Sequence, residues 1–430
     1  MAENIIFERS VGTGRREGDV TVKLVATGPN EVERCQPQEI TIIESFGSMS
    51  PVVSVTLMDK NGDLFNHMKI GTDITFTLSL LRSIDISVDI KLKVARFRMV
   101  NGSIGRPTDV SIQIQLVAEK WLDISGKERC RGWYDKKISE VMKEVASECG
   151  YSETFITETA EKMQSIVQPY WDNAVFTKWA KTEAFAKKSD SHFEYGATTD
   201  NRFFFKSMDE LFDDNKSDIK GNTLPVLKLQ SFLDSANESK EEQDSNKQIP
   251  AYFYGFDVLD DYMAGVINGT GGIKTIYYDY DEDKLIKKDN AATDVNFKQL
   301  SDFLSLSESE NKNYIRNFHG RGTVEKENQN KTYISDLNMS VSAFSLITDG
   351  IPTIHIFDMV EVIIPNSVYN SKEIINQLYS GFYVVASVKH TISFAKTAKY
   401  STTIGLIRHG VDDNGYEGLE KLQKSKGGKI

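Results

Sequence analysis

The first third of the chain alternates apolar and polar residues, which is the pattern of half-buried β-strands. In residues 109–118 (DVSIQIQLVA), Val110, Ile112, Ile114 and Leu116 alternate with serine and glutamine. Runs with strand character also occupy residues 38–44, 51–59, 73–80 and 87–99. Turn residues separate the runs at the spacing of an antiparallel barrel or sandwich, so the sequence predicts one of these two folds.

The pattern changes period in the middle of the chain. Apolar residues recur every three or four positions within residues 135–149, which predicts an amphipathic helix that ends at Gly150. Asp172 or Asn173 is placed to cap a second helix. A hairpin (193–195 and 202–206) and a short helical turn (207–212) are predicted to follow.

The last third returns to strand patterns. These occupy residues 341–347, 353–364, 382–394 and 399–408. His390 falls on the apolar face of one of them, where a core histidine with one satisfied nitrogen is expected. Residues 234–247 have almost no apolar side chain and predict a linker, whereas the charge-dense residues 278–332 predict a peripheral insertion whose first residues form a hairpin.

The two ends of the chain share a faint repeat. IGTDITFTLSL (70–80) and DIKLKVARFRMV (89–100) are matched by IFDMVEVIIPN (356–366) and GFYVVASVKHTISF (381–394). Each end then continues, after a turn, into another alternating strand. The repeat indicates either two copies of one barrel or two unrelated antiparallel sheets of similar pattern.

Composition and charge argue against several classes of protein. The chain has 51 Lys and Arg against 62 Asp and Glu, a net charge of −11, which argues against gripping nucleic acid phosphates. The three cysteines are far apart, so neither a disulfide framework nor a thiolate zinc site is expected. The first ten residues are polar and lack the apolar region of a signal peptide, so none is expected. No apolar run is long enough to predict a membrane helix.

Motifs of catalysis or cofactor binding are not found. The six histidines show no metal-ligand spacing, and no phosphate-binding glycine loop or nucleophile elbow is present. Acidic turns at 59–63 and 279–283 begin like calcium loops but have no glycine at the sixth position. We therefore expect no cofactor and no metal. A carboxylate pair for glycan cleavage stays open, because separation in space is not readable from sequence.

Residues 163–211 carry a family resemblance. They read MQSIVQPYWDNAVFTKWAKTEAFAKKSDSHFEYGATTDNRFFFKSMDEL. This segment, with WYDKKISEVMKEVASECGY (133–151) before it, resembles the central baseplate hub protein of contractile-tailed bacteriophages. Residues 40–80 resemble the first tail-tube-like barrel of that family, and the last strands resemble the second barrel. The residues expected to carry the family's structural motifs are Pro169, Trp171, Phe176, Trp179, Gly381 and His390.

The resemblance implies a mainly β (α+β) fold, with two tail-tube-like antiparallel β-barrels, interposed helices and a charged insertion. It also implies a homotrimer in the virion tail baseplate, made in the host bacterial cytoplasm. Its expected partners are a tail spike protein below, a tail tube protein above and baseplate wedge proteins around it. DNA is expected to pass through without specific binding, along a net-negative wall. No enzymatic activity and no membrane anchor are expected.

The domain organisation follows from the same resemblance. The expected parts are a first barrel (1–125), a helical segment with a hairpin (126–233), a linker with the insertion (234–340), the closing strands of the second barrel (341–410) and a flexible tail (411–430). Two other functions stay open: the trimeric spike base of a bacterial contractile secretion or injection system, and a tail-associated cell-wall hydrolase.

Overall fold

The structure is a computed structural model. It describes residues 3–12, 19–27, 35–59, 70–80, 87–102, 110–160, 162–186, 192–215, 217, 224–229, 248–256, 272–279, 283–291, 315–319, 344–366, 374–375, 380–394 and 398–408. The predicted linker (234–247), the tail (411–430), most of the insertion (278–332) and the centres of both acidic turns lie outside the described residues.

Seven strands form the first unit. They are β1 (Glu3–Gly12), β2 (Asp19–Thr27), β3 (Gln36–Ser45), β4 (Val52–Asp59), β5 (Asp73–Leu80), β6 (Ser87–Gly102) and β7 (Val110–Ala118). Their spatial order is β1-β2-β5-β6-β7-β4-β3, with every neighbouring pair antiparallel. Alternate residues such as Val53, Val55 and Leu57 are fully buried in one core, as the period of two predicts. A backbone hydrogen bond from Cys35 to Ile6 (3.1 Å) links the two edges of this curved sheet.

A middle segment with its own core follows. It contains β8 (Arg129–Lys137), α1 (Ile138–Glu148), β9 (Glu153–Ile156), β10 (Lys162–Trp171), α2 (Asn173–Glu183), β11 (Phe193–Ala197), β12 (Arg202–Ser207) and α3 (Met208–Asp214). Asp172 caps α2 by accepting a hydrogen bond from the Val175 amide (2.8 Å), and Gly150 follows α1 with φ +75°. Both predicted helices and the hairpin are therefore present.

The second unit closes into a barrel. Its elements are β13 (Val226–Leu229), β14 (Gln248–Phe256), β15 (Gly272–Asp279), β16 (Lys284–Ala291), β17 (Ile315–His319), β18 (Phe344–Asp349), β19 (Met359–Ile363), β20 (Pro365–Asn366), β21 (Ile374–Ile375), β22 (Gly381–Ser393) and β23 (Lys399–Ile407). Six of them form the ring β13-β14-β18-β23-β22-β19, in which β13 closes the barrel by pairing with β19. Strands β15–β17 form a separate small sheet.

Five strands recur in both units with the same arrangement. The order β5-β6-β7-β4-β3 in the first unit corresponds to β19-β22-β23-β18-β14 in the second, in the same chain order and with all pairs antiparallel. The faint sequence repeat is therefore a repeat of topology, and two unrelated antiparallel sheets are excluded.

The two units also share a backbone irregularity. In the first, Gly71 donates to the Val94 carbonyl (2.8 Å), and in the second Phe357 donates to the Val385 carbonyl (2.9 Å). Gly71 and Phe357 both have positive φ, +87° and +70°. A β-bulge follows at the next residue of β6 and of β22, at Ala95 and Ala386.

Two parts of the second unit differ from the sequence prediction. Strand β14 belongs to the barrel although it falls within the predicted linker and insertion. Residues 353–358, predicted as the start of a strand, form turns before β19, because Phe357 adopts a left-handed conformation that interrupts extended backbone. The prediction of a mainly β fold with interposed helices and tube-like barrels is confirmed. No helix of the described residues is long and apolar enough to cross a membrane.

Candidate functional site: the junction between the two units

Three parts of the fold meet at the turn between β3 and β4. There the Gly47 amide donates to the carbonyl of Tyr195 on β11 (2.8 Å), and the Phe46 amide donates to the carbonyl of Ala386 on β22 (2.9 Å). Strand β11 also lies close to the second unit, because a Cβ at Gly196 would lie 2.4 Å from the Ile356 side chain. The turn is thus tied to the middle segment and to the second unit at once.

Five ionisable residues lie at this meeting point. We call them the junction cluster, and they are Glu44, Asp200, Arg202, His355 and Asp358. Glu44, at the end of β3, is fully buried and lies 3.1 Å from Nδ1 of His355. Its carboxylate also accepts hydrogen bonds from the amides of Thr199 (2.7 Å) and Ile356 (3.3 Å).

The remaining members surround the imidazole. Asp200 Oδ2 lies 2.7 Å from Nε of Arg202 and 3.9 Å from Nε2 of His355. Asp358 accepts a hydrogen bond from the His355 amide (2.7 Å). The Arg202 guanidinium lies over the ring of Phe204, 5.5 Å from its centroid. His355 is therefore held between carboxylates from the first unit and from the middle segment.

Electrostatics favour the ionised pair. Burial opposes ionisation of Glu44, but the hydrogen bond and positive charge of His355 and the Thr199 amide hold the Glu44 pKa below its usual value. Burial likewise opposes protonation of His355, yet its hydrogen bond to Glu44 and the nearby carboxylates raise its pKa. The pKa of Asp358 is raised, mainly by burial. The junction thus contains a buried ion pair that joins β3 to the turns preceding β19.

An aromatic column runs beside the cluster. Phe357 lies between Phe46, at 4.4 Å between ring centroids, and Phe204, at 4.8 Å with an interplanar angle of 12°. Phe155 stacks on the other face of Phe204 at 4.9 Å. These four rings come from all three parts of the fold, so the left-handed Phe357 places its ring where the parts meet.

The arrangement is suited to holding the parts of the fold together. Catalysis by the Glu44–His355 pair would require substrate access, but the Glu44 side chain has no exposed surface and His355 is nearly as buried. Among the described residues, no group of three His, Cys, Asp or Glu side chains is arranged to hold a metal ion. The cluster's hydrogen bonds instead connect distant chain segments, which is the geometry of a structural clamp.

Four of the predicted motif residues lie together in the middle segment. Phe176 of α2 is fully buried, with ring centroids 5.4 Å from both Trp133 and Trp179. Trp171 lies 6.3 Å from Trp179. Pro169 is exposed and lies opposite Cys130 next to a bulge in β10. The three aromatic residues lie in or against this segment's core.

The other two motif residues lie on β22. Gly381 begins the strand with φ +145° and pairs with Val362. His390 is buried, with Nδ1 2.9 Å from the Tyr400 hydroxyl. Burial is the main cause that lowers the His390 pKa to about 4, so the ring is neutral at pH 7.

Sequence reasoning did not single out the junction cluster. A signal for Glu44 exists, because the alternation of β3 places this charged residue on the same face as the buried Ile40 and Ile42. A carboxylate at a core position requires a buried partner. The partner itself, His355, is 311 positions away and carries no local signal.

Solved structures of two tail proteins align with this chain over most of its length. A tail protein from Neisseria meningitidis MC58 aligns with a TM-score of 0.54 and 7% identity over 91% of this chain and 97% of its own. The 43 kDa tail protein of prophage MuSo2 from Shewanella oneidensis aligns with a TM-score of 0.51 and 13% identity, over 92% of this chain and 100% of its own.

This chain has a phage tail protein fold. The resemblance to phage baseplate hub proteins is thereby confirmed at the level of the fold. A type VI secretion system component from E. coli aligns with a lower TM-score of 0.46 at 9% identity, over 91% of this chain and 78% of its own. No protein-family model and no curated protein sequence matches the chain.

Proposed function

We propose that this protein is the central baseplate hub of a contractile phage tail and acts as a homotrimer. The observation that carries the proposal is the duplicated five-strand unit within one chain. Three chains supply six such units, which can stand around one axis as a pseudo-sixfold ring. A ring of this kind fits a sixfold tail tube on one side and a threefold spike on the other.

The junction cluster supports this role. A pseudo-sixfold ring requires both units of every chain to keep one fixed relative orientation. A buried ion pair with several hydrogen bonds has few alternative geometries, because leaving any of its groups unpaired costs free energy. The clamp and the aromatic column thus set the angle between the units.

In the proposed assembly the hub binds a spike protein below and a tube protein above, with wedge proteins around it, and DNA passes through its centre. The family motif residues in the middle segment are proposed to be structural. One face of β6 is basic, which matters for the predicted charge of the channel wall. The outward side chains of this strand include Lys91, Lys93, Arg96 and Arg98. Arg96 and Arg98 line a groove of about 270 Å³. The predicted net-negative wall therefore requires that this basic face point away from the axis.

Solution mass tests the proposal. Light scattering behind size-exclusion chromatography is expected to give three times the 48.5 kDa chain mass. Averaged electron micrographs of the same peak are expected to show a ring with six similar lobes. A monomer at micromolar concentration would contradict the proposal, as would a ring without six lobes.

Two alternatives are distinguished by other measurements. A tail-associated hydrolase would release soluble fragments from purified peptidoglycan, whereas a structural hub would release none. A spike base of a secretion or injection system shares the two-unit plan, so the discriminating result is location. Mass spectrometry of purified DNA-containing virions is expected to detect this chain in the tail baseplate.

A further inference from the structure

The outer face of the first unit carries a groove of about 270 Å³ across three neighbouring strands, β6, β7 and β4. It is lined by Val52, Ser54, Arg96, Arg98, Gln113 and Gln115. In one row Arg96 lies opposite Gln115, and in the next row Arg98 lies opposite Gln113. The buried residues of β7 alternate with these glutamines, so the groove lies on the face turned away from the core of the unit. No carboxylate among the described residues lines it.

The two arginines of this groove are not paired within the chain. In the part of the chain that the structure describes, no ion pair joins either of them to a carboxylate. Both side chains are exposed, whereas Lys93 on the same strand pairs with Asp73 of β5 (2.6 Å). A guanidinium presents its donors in a planar fork that matches a carboxylate or a phosphate with two hydrogen bonds at once. Arg96 and Arg98 are therefore available to bind an anionic group from outside the chain.

The other polar side chains of the groove offer both donors and acceptors. Gln113 Nε2 donates to the Ser54 hydroxyl (3.1 Å), which leaves the Gln113 carbonyl oxygen to accept a hydrogen bond. Gln115 is exposed and presents a complete amide group. A peptide backbone has N–H donors and carbonyl acceptors, whereas the phosphate backbone of DNA has acceptors alone. The groove is thus more complementary to a peptide than to a nucleic acid.

The spacing of the arginines matches an extended peptide. They are two residues apart on one face of β6, which places them about 6.6 Å apart along the strand. An extended partner presents alternate side chains on one face with the same spacing, so carboxylates two residues apart meet both arginines. Val52 lies two residues before Ser54 on the same face of β4 and provides an apolar contact at one end of the groove.

Charge also argues for a protein as the partner. Strong binding of duplex DNA through its backbone uses on the order of 6–10 phosphate contacts, but this groove supplies two cations. The chain as a whole has a net charge of −11, which repels DNA at long range. A short acidic segment needs no more than the two arginines, because each guanidinium neutralises one carboxylate.

We infer that this groove binds an extended acidic segment of a partner protein, with carboxylates two residues apart on Arg96 and Arg98 and an apolar side chain at Val52. The inference goes beyond the proposed function, in which this basic face is turned away from the channel and toward the surrounding proteins. It does not require the trimer, because every lining residue belongs to one chain. Failure of the trimer and failure of this site are therefore separate results.

Peptide binding to the full-length chain tests the inference. The probe is a fluorescent synthetic peptide in which two glutamates alternate with threonines, with a valine two residues after the second glutamate. Fluorescence anisotropy at low ionic strength is expected to show binding that weakens as salt is added. A second peptide of the same composition with adjacent glutamates is expected to bind about tenfold more weakly, because adjacent side chains of a strand point to opposite faces and one charged contact is lost.

Substitutions locate the site. Arg96→Gln and Arg98→Gln are each expected to weaken binding of the probe about tenfold, because each removes one guanidinium–carboxylate contact. Arg98→Lys is expected to bind with an affinity between those of wild type and Arg98→Gln, because lysine keeps the charge but not the fork. Lys389→Gln is the matched control, since Lys389 is an exposed cation of the same sheet outside the groove, and binding should be unchanged. Circular dichroism of every variant is expected to match wild type, because these side chains are exposed.

Three results would overturn the inference. The first is no binding of the probe at a concentration of about 1 mM. The second is equal binding of the two peptides, or an equal loss for Lys389→Gln, since either would indicate a general effect of charge. The third is tighter binding of a DNA duplex that depends on Arg96 and Arg98, which would make the groove a nucleic acid site. A chain that is not a trimer but binds the probe as expected would contradict the hub proposal alone.

Discussion

The Glu44→Gln variant tests whether the junction cluster clamps the two units. The substitution keeps the size of the side chain but removes the charge opposite His355 and places an amide NH₂ among donors. Glu44 is fully buried and accepts three hydrogen bonds, from His355, Thr199 and Ile356. Removing one partner of a buried ion pair costs about 3–5 kcal/mol, so we expect a loss of roughly 3 kcal/mol in the free energy of unfolding.

The cost is expected to depend on pH in a defined direction. The pKa of Glu44 is lowered in the fold, so its stabilisation is present above the usual glutamate pKa of 4.5 and is lost as pH falls through the folded pKa. The pKa of His355 is raised, so its stabilisation is present below 6.5 and is lost as pH rises through the folded pKa. The free energy of unfolding of the variant should therefore fall furthest below that of wild type between these two pH values, near pH 5.5. The difference should be smaller near pH 9.

Urea unfolding at fixed protein concentration, at pH 5.5 and at pH 9, measures both the loss of stability and its dependence on pH. Glu39→Gln is the matched control, because Glu39 lies on the same strand but is exposed. It is expected to change stability by less than about 0.5 kcal/mol. A loss below about 1 kcal/mol for Glu44→Gln, or a loss equal at both pH values, would refute the clamp.

Three further substitutions test other parts of the fold. Glu361 of β19 is buried, with Oε1 unpaired among the described residues, and burial raises its pKa to about 7. Because a raised pKa favours the protonated carboxyl in the fold, the free energy of unfolding of wild type should fall by about 3 kcal/mol between pH 4.5 and pH 7. Glu361→Gln should abolish this fall. Phe204→Ala removes the centre of the aromatic column and should lower the free energy of unfolding, measured with urea, by about 3 kcal/mol. The control Phe155→Ala should lower it less, because Phe155 is 37% exposed. Gly71→Ala should lower the free energy of unfolding by about 1 kcal/mol through its φ of +87°, although space for the methyl group is open; no change would contradict the strain argument.

Much of the fold could be predicted because its signals are local. Alternation within β4 and β7 fixes which side chains are buried, and the three- and four-residue period of α1 fixes its buried face. Capping by Asp172 and the glycine after α1 set helix ends from neighbouring residues alone. The sequence prediction left strand β14 outside the barrel. It lies between the charged linker and the insertion, and nothing in these flanking residues indicates which strands it pairs with.

The sequence by itself determined the two helices of the middle segment and most strands of the two repeated five-strand units, since these depend on residues a few positions apart. Only the tertiary structure decided which edges pair, and that Glu44 meets His355 across 311 positions. Contacts between distant segments depend on how whole sheets curve and dock, and no local pattern encodes that.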